Sequence, residues 1–266
     1  MKNEDRAATA VAIAKQAGAL ALEYFRHQDR LKVENKGHQD FVSQADREVE
    51  VLTRKLLAEH FPDDAIVGEE HAPTPGTSGF TWVIDPIDGT TNFVTSIPAW
   101  TVVIAGVENG RCVTGVIHDP CHDETFTAVR GQGAAMNGRD LTLSGQASLT
   151  DGSIGVGFSN RVDTSGAGRL ASKLLSLGGV FHRNASGALS LAYVAAGRLL
   201  GYSEEHMNAW DCLAGQLIVE EAGGGVEVQD ADRMIETGGR VIVGVPGVYE
   251  ELVRLSDDAF KPRPSE

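Results

Sequence analysis

Polar and apolar residues alternate with a helical period near the start of the chain. Between residues 4 and 27, Val11, Ala14, Leu22 and Phe25 recur at roughly helical spacing, and between 43 and 60 Val49, Leu52 and Leu56 do the same. Two amphipathic helices are predicted. Ser43 with Asp46 three residues on matches a capping box at the start of the second, and Pro62 lies just past its end. The turn formers APTPGTSG at 72–79 then lead into TWVI, a strand-like run. From residue 100, WTVVIAGV, RCVTGVIH and ETFTAVR are separated by the turn sequences ENG and HDPCHD, which predicts a β-meander. After residue 150 the pattern turns mixed: a strand at 154–158, helices near 166–177, 187–197 and 211–222, a strand at 241–245 and a last helix at 247–259. No internal repeat or long linker interrupts this order. It predicts an α/β fold of α+β type, with layered sheets and helices and the sites in the loops between them.

At 266 residues the chain reads as one domain with two lobes, about 1–145 (helices plus antiparallel sheet) and 146–266 (mixed α/β). Hydrophobic residues make up 42% and charged residues 23%, the composition of a globular protein rather than a disordered one. With 37 acidic against 23 basic residues the net charge is -14, a field that repels nucleic acid and anionic membranes. No direct nucleic-acid binding and no membrane association are expected. Glu4, Asp5, Lys15 and Gln16 spoil a signal-peptide reading of the first residues, and no run of eighteen apolar residues exists. Cys112, Cys121 and Cys212 are too few and scattered for a disulfide framework, so the expected location is cytoplasmic.

Candidate chemistry lies in three separated segments. In TWVIDPIDGTTNFV at 81–94, Asp85 follows a buried-type run, so its carboxylate is expected at a strand end, with Pro86 preventing a helix and Asp88 swinging back along the turn. Two carboxylates in a small space repel unless a cation joins them. Oxygen ligands without a histidine cluster favour Mg²⁺, Mn²⁺ or Ca²⁺ over Zn²⁺. Gly89 lets the backbone approach a ligand, and Thr90, Thr91 and Asn92 resemble a helix start whose N–H groups face an anion. The second segment is GEE at 68–70, and the third is WDCLAGQLIVEEAGG at 210–224, with Asp211 at a helix start. Each segment has a plainer reading: an Asp-Gly turn with Asp88 as N-cap, surface acids for Glu69 and Glu70, and an N-cap for Asp211.

Taken together, GEE, WVIDPIDGTTNFV and WDCLAG resemble the inositol monophosphatase family of lithium-sensitive, Mg²⁺-dependent phosphomonoesterases, with upstream support from DFVSQAD at 40–46. The resemblance covers nearly the whole chain and implies the layered αβαβα sandwich of that family. It implies metal binding by Glu69, Asp85, the Ile87 carbonyl, Asp88 and Asp211, with Asp85 bridging two ions. Glu70 matches the second acid of the family's pair. Thr90 and Glu69 would orient the attacking water, with Asp88 also in the catalytic set, and the Gly89 and Thr90 amides would receive phosphate oxygens. Asp46 matches an upstream family acid near the metals, although its capping-box role explains it as well. Substrate contacts are implied for Ile87, Asp88, Gly89, Thr90, Ser186, Gly187, Ala188, Glu204 and Asp211. Glu204 stands seven residues before Asp211, where the family has an acid that meets substrate hydroxyls; a solvated loop acid is the plainer reading. In RNASGALSL the family order of glycine then hydroxyl is reversed, since Ser186 precedes Gly187.

The expected reaction is hydrolysis of a small phosphorylated polyol, with inositol 1-phosphate leading and histidinol phosphate, a sugar bisphosphate or a nucleotide 3'-phosphate as alternatives. Two or three Mg²⁺ per site are implied, with Mn²⁺ as a substitute and Li⁺ and Ca²⁺ as inhibitors. A homodimer is implied too. A regulatory partnership with the transcription machinery is the alternative of another class. HDPCHDE at 118–124 groups two histidines, a cysteine and acids, but in a short turn without a second ligand cluster, so zinc is not expected there. GQG at 131–133 and SGAGR at 165–169 lack a Walker lysine and a dinucleotide fingerprint and read as loops. Trp210, Cys212 and Leu213 read as core packing.

Overall fold

The computed structural model describes residues 3–28, 33–37, 40–143, 145, 147–159 and 161–261. Helix α1 (Asn3–Arg26) runs the length predicted for it, but its buried face is Ala10, Ile13, Ala14, Ala17 and Ala21. Val11, Leu22 and Phe25 only flank that stripe. Small residues at its centre let the helix lie close to the sheet beneath: a Cβ on Gly18 would stand 2.6 Å from the His118 ring. A short hairpin, β1 (Val33–Gly37) and β2 (Asp40–Ser43), follows; nothing in the periodicity pointed to it. Helix α2 (Gln44–His60) carries the predicted capping box, with the Asp46 carboxylate accepting from the Ser43 amide at 2.8 Å. Its buried face includes two acids, Asp46 and Glu50, beside Val49, Thr53 and Leu57, while Leu52 and Leu56 are only partly buried.

The strands β3 (Ala65–Gly68), β4 (Phe80–Asp88), β5 (Thr101–Glu108), β6 (Arg111–Asp119), β7 (Glu124–Val129), β8 (Ala134–Met136) and β9 (Arg139–Leu141) form one seven-stranded sheet in sequence order. β5, β6 and β7 are the predicted meander. β3 is an edge strand, parallel to β4; every other pairing is antiparallel. The short helix α3 (Thr90–Val94) follows β4 directly.

A second sheet of five strands has the order β11-β10-β12-β14-β13, from β10 (Ser153–Val156), β11 (Val180–His182), β12 (Gly201–Met207), β13 (Gly225–Val226) and β14 (Gly239–Gly244). Between them come α4 (Ser165–Ser176), α5 (Gly187–Ala195), α6 (Ala209–Glu221) and α7 (Ala231–Thr237), with α8 (Tyr249–Ala259) at the end. Helices α5 and α6 lie between the sheets, touching β4–β6 on one side and β12 and β14 on the other. Helices α1 and α2 cover the outer face of the larger sheet, and α4 and α8 that of the smaller. The layers therefore run αβαβα, as the resemblance implied. Helix α6 is apolar nearly all round because it is buried on both sides, with Cys212, Leu213, Leu217 and Ile218 among its core residues. All three cysteines are free.

Candidate metal centre and active site

The structure corrects the expected turn at Asp85. Strand β4 does not stop at Ile84 but continues to Asp88, and its pairing with β5 slips on the way: Asp85 faces Val103 while Asp88 faces Thr101. Three steps on β4 match two on β5, which is a β-bulge. The parity matters. In a regular strand two residues three apart point to opposite faces, and one extra residue brings them back to the same side. Pro86, which has no N–H for a ladder, falls inside the slip. The bulge is tied by the Asp85 carboxylate itself, whose Oδ1 accepts from the Ile87 amide at 2.9 Å. Pro86 thus serves a bulge within a strand rather than blocking a helix.

Beyond the bulge, Gly89 turns the chain with φ at +98°, where a Cβ would also meet the Ala99 carbonyl oxygen at 2.9 Å. Gly89, not Asp88, is the N-cap of α3. Asp88 instead turns to a different helix end. Ser186 Oγ donates to its Oδ2, the Ala188 amide donates to Oδ2 at 2.9 Å, and the Gly187 amide approaches Oδ1 at 3.3 Å. The start of α5 therefore holds a carboxylate belonging to β4. Ala185, directly before Ser186, has φ at +61°, in the left-handed region that favours glycine. The Ser186 hydroxyl is engaged by Asp88.

Asp211 arrives from α6, where it occupies the third helical position and accepts from the Asn208 amide at 3.2 Å; Asn208, not Asp211, is the N-cap. One carboxylate oxygen from each of Asp85, Asp88 and Asp211 falls within 4.8 Å of the others. Burial pushes all three carboxyls up: Asp85 well above the usual range, with the Glu69, Asp88 and Asp211 charges adding to it, and Asp211 to about 7. For Asp88 the hydrogen bonds from Ser186 and the α5 amides work against that rise. Three desolvated acids in mutual repulsion form an all-oxygen donor set that suits a hard divalent cation.

Glu69 lines the same cavity, of about 180 Å³, together with Ile87, Gly89, Thr90, Ser186 and Glu204. Glu70 does not line it. Asp46 is fully buried behind the cavity, its carboxyl pushed up to about 6 by burial, and its Oδ1 lies 3.2 Å from the Thr90 hydroxyl. The Ile87 carbonyl is the other acceptor within reach of that hydroxyl, also at 3.2 Å. Asp46 so combines a cap for α2 with a contact to Thr90.

Glu204 is not a loop acid. It sits in β12 with 7% exposure, and burial pushes its carboxyl up to about 7. The Tyr202 hydroxyl, on the same face of the strand, donates to Glu204 Oε2 at 2.5 Å. Gly157 leaves room for this pair, since a Cβ there would lie 2.1 Å from both oxygens. Tyr202, Arg161 and Arg183 also line the cavity, with the Arg183 guanidinium stacked 4.1 Å from the centre of the Phe158 ring. Sequence reasoning missed these four. Reading YSEE as a strand would have placed Tyr202 beside Glu204 at i, i+2. The histidine-rich turn, by contrast, forms no metal cluster among the described residues: Asp119 accepts from His122 Nδ1 and from the Cys121 amide, and His118 lies 3.0 Å from the Thr125 hydroxyl.

The sequence of residues 2–258 matches the model of the inositol monophosphatase family. The chain belongs to that family, a family of phosphatases. It is 38% identical over 251 residues to the inositol-1-monophosphatase of Mesorhizobium japonicum, covering 92% of this chain and 93% of that one. It is 37% identical over 248 residues to the Nus factor SuhB of Escherichia coli K12, with 92% of each chain covered. Among solved structures, the extragenic suppressor protein suhB of Bartonella henselae superposes with a TM-score of 0.86 at 33% identity, covering 96% of this chain and 98% of that one. The IMPase of Thermotoga maritima does so at 0.83 and 31%, with the same coverage. The fold and the family expected from the three segments are both established.

Proposed function

We propose that the chain is a Mg²⁺-dependent phosphomonoesterase acting on a small phosphorylated polyol, with inositol 1-phosphate as the leading substrate. The observation that carries this reading is the convergence of Asp85, Asp88 and Asp211 within 4.8 Å in a cavity that also holds Gly89, Thr90 and Glu204. Glu69, Asp85, the Ile87 carbonyl, Asp88 and Asp211 would hold the metal, two or three ions per site. When bound, Mg²⁺ supplies Lewis acidity at the phosphoryl oxygens and the attacking water and offsets the charge of the acids. The chain's own groups do the positioning. Glu69 and the Thr90 hydroxyl accept from and orient the water in line with the leaving oxygen, while the Gly89 and Thr90 amides donate to the phosphate. Glu204 accepts from substrate hydroxyls, and Ser186 and Gly187 at the α5 start line the pocket beside them; Ala188, expected there too, is fully buried outside the cavity lining and meets the site only through its amide bond to Asp88. Ser186 and the Gly187 amide act through Asp88, whose carboxylate they fix.

Mn²⁺ is expected to substitute and Li⁺ and Ca²⁺ to inhibit. A homodimer fits the exposed apolar side chains Leu175, Leu177, Val180 and Phe181, gathered where α4 leads into the edge strand β11. No described helix is long and apolar enough to cross a membrane; the location proposed is the cytoplasm. The test is phosphate release from inositol 1-phosphate, histidinol phosphate, a sugar bisphosphate and a nucleotide 3'-phosphate, with Mg²⁺ and with chelator. Hydrolysis unaffected by chelation refutes the mechanism, and metal-dependent turnover confined to another ester refutes only the inositol assignment. The similarity to Nus factor SuhB supports a second reading, a regulatory partner of transcription. Recovery of transcription components on immobilised protein would support it, and failure to recover them would remove it.

A further inference from the structure

Glu69 is presented by a turn at the edge of the sheet. Strand β3 pairs with β4 on one side and ends at Gly68; on its other side the chain returns only as a single antiparallel bridge, with Ile66 and Thr74 exchanging amide-to-carbonyl hydrogen bonds at 2.9 and 2.8 Å. Between Gly68 and that bridge the turn is gripped by helix α2. Glu50, fully buried, reaches across twenty residues: its Oε2 accepts from the Glu70 amide at 2.7 Å and its Oε1 from the His71 amide at 3.1 Å. Arg54, one turn further along α2, donates from Nε to Glu50 Oε1 at 2.7 Å and from its two terminal nitrogens to the His71 carbonyl at 3.0 Å and the Thr74 hydroxyl at 3.2 Å. Donors and acceptors of the turn are both taken. Gly68 is the residue that lets the carboxylate in, because a Cβ there would lie 2.5 Å from Glu50 Oε1. The same face of α2 carries Asp46, one turn before Glu50 and in contact with Thr90.

We propose that Glu50, locked by Arg54, is a positioning residue that fixes the Glu69 turn and thereby sets the affinity of the site for its divalent cation. The inference rests on the reading of Glu69 as a metal ligand. Outer groups that orient ligands in this way change metal affinity by about 10–100-fold when removed. Besides the two turn amides the Glu50 carboxylate meets only Arg54 and the His71 ring, both part of the same clasp, whereas a purely structural role for Glu50 makes a different prediction.

Mn²⁺ binding, followed by titration calorimetry, and urea unfolding without metal should be measured for the wild type, E50Q and D64N. Asp64 is a buried carboxylate in the same region, accepting from Arg6, from the Ser78 hydroxyl at 2.6 Å and from Trp82 Nε1 at 2.9 Å, away from the cavity. In E50Q one acceptor oxygen replaces two and an amide NH₂ faces N–H donors. E50Q should raise the Mn²⁺ Kd at least about tenfold, with kcat recovering at high Mg²⁺. D64N should lose stability and keep its Kd within about twofold of the wild type, the scatter expected of a site it does not touch. Should E50Q fail to fold, R54Q, at the partly exposed edge of the clasp, should raise the Kd several-fold. A wild-type Kd in E50Q, or in R54Q if that variant has to stand in, overturns the proposal, as does an equal rise in D64N. A wild type that binds no Mn²⁺ overturns the metal-site reading and the clamp together, which distinguishes the two failures.

Discussion

Asp85→Asn separates the electrostatics of the site from its catalysis. Asp85, Asp88 and Asp211 have oxygens within 4.8 Å of one another, and at an effective dielectric constant near 20 two full charges at that distance repel by about 3.5 kcal/mol. Protonation of one acid relieves part of this, so about 2 kcal/mol is a reasonable cost at pH 8 in the absence of metal. Asparagine removes the charge and keeps Oδ1, which can still accept from the Ile87 amide. The metal-free variant should therefore be more stable than the wild type by about 2 kcal/mol at pH 8, a rise in Tm of about 4–8 °C for a chain of this size. The sign with pH follows from the raised carboxyls. A group whose folded pKa lies above its unfolded value favours folding at low pH, and that advantage is lost as pH rises through the folded pKa, about 7 for Asp211. The gain from Asp85→Asn should thus grow as pH rises and the acids ionise, and fade toward pH 4. With Mg²⁺ the order should invert, since the wild type gains stability by binding and the variant does not. Scanning calorimetry with chelator and with saturating Mg²⁺ measures all of this. A variant less stable than the wild type without metal, or equally stabilised by Mg²⁺, would refute the reasoning, as would normal turnover.

Other outcomes follow from neighbouring residues. Ser186→Ala removes the hydroxyl that donates to Asp88 and caps α5, and should cost about 1–2 kcal/mol of stability by urea unfolding. Because that bond lowers the Asp88 carboxyl against burial, the variant's Mg²⁺ requirement should worsen more at pH 6 than at pH 8, when the proton competes with the metal. Glu204→Gln should raise KM for inositol 1-phosphate about tenfold while leaving a hydroxyl-poor aryl phosphate unaffected, measured by phosphate release. In the wild type that KM should fall as pH rises through about 7, when the carboxylate becomes the better acceptor, and in Glu204→Gln this dependence should be flat.

The sequence was most informative where one period dominates a segment. The capping box at Ser43 and Asp46, the meander at 100–130 and the helices α4, α5, α6 and α8 are local patterns, and they appear with bounds close to those predicted; the short helix α7 was missed. It was less informative where tertiary packing overrides the size of side chains. The face of α1 is lined by alanines because the sheet lies close, and the face of α2 contains Asp46 and Glu50 because each has buried partners to satisfy it. The bulge at Asp85–Asp88 is a relation between two strands, and its one local sign, Pro86, also fits the helix block that was read into it. Short strands such as β1, β2 and β11 gave too few residues for a period, and they were missed. At the site, the three converging acids Asp85, Asp88 and Asp211 were legible because their spacing resembles a family pattern. Tyr202, Arg161, Arg183 and Glu50 were not: Tyr202 lies on a strand taken for a loop, Glu50 holds residues distant in sequence, and only the fold brings Arg161 and Arg183 to the cavity.

The most direct test of the central claim is a crystal structure of the protein grown with Mn²⁺ and phosphate, with the anomalous signal of manganese located. The account predicts an anomalous peak bound by Asp85, Asp88 and Asp211, and phosphate density against the Gly89 and Thr90 amides. Manganese bound elsewhere, with those three carboxylates left without it under conditions that support turnover, would contradict it.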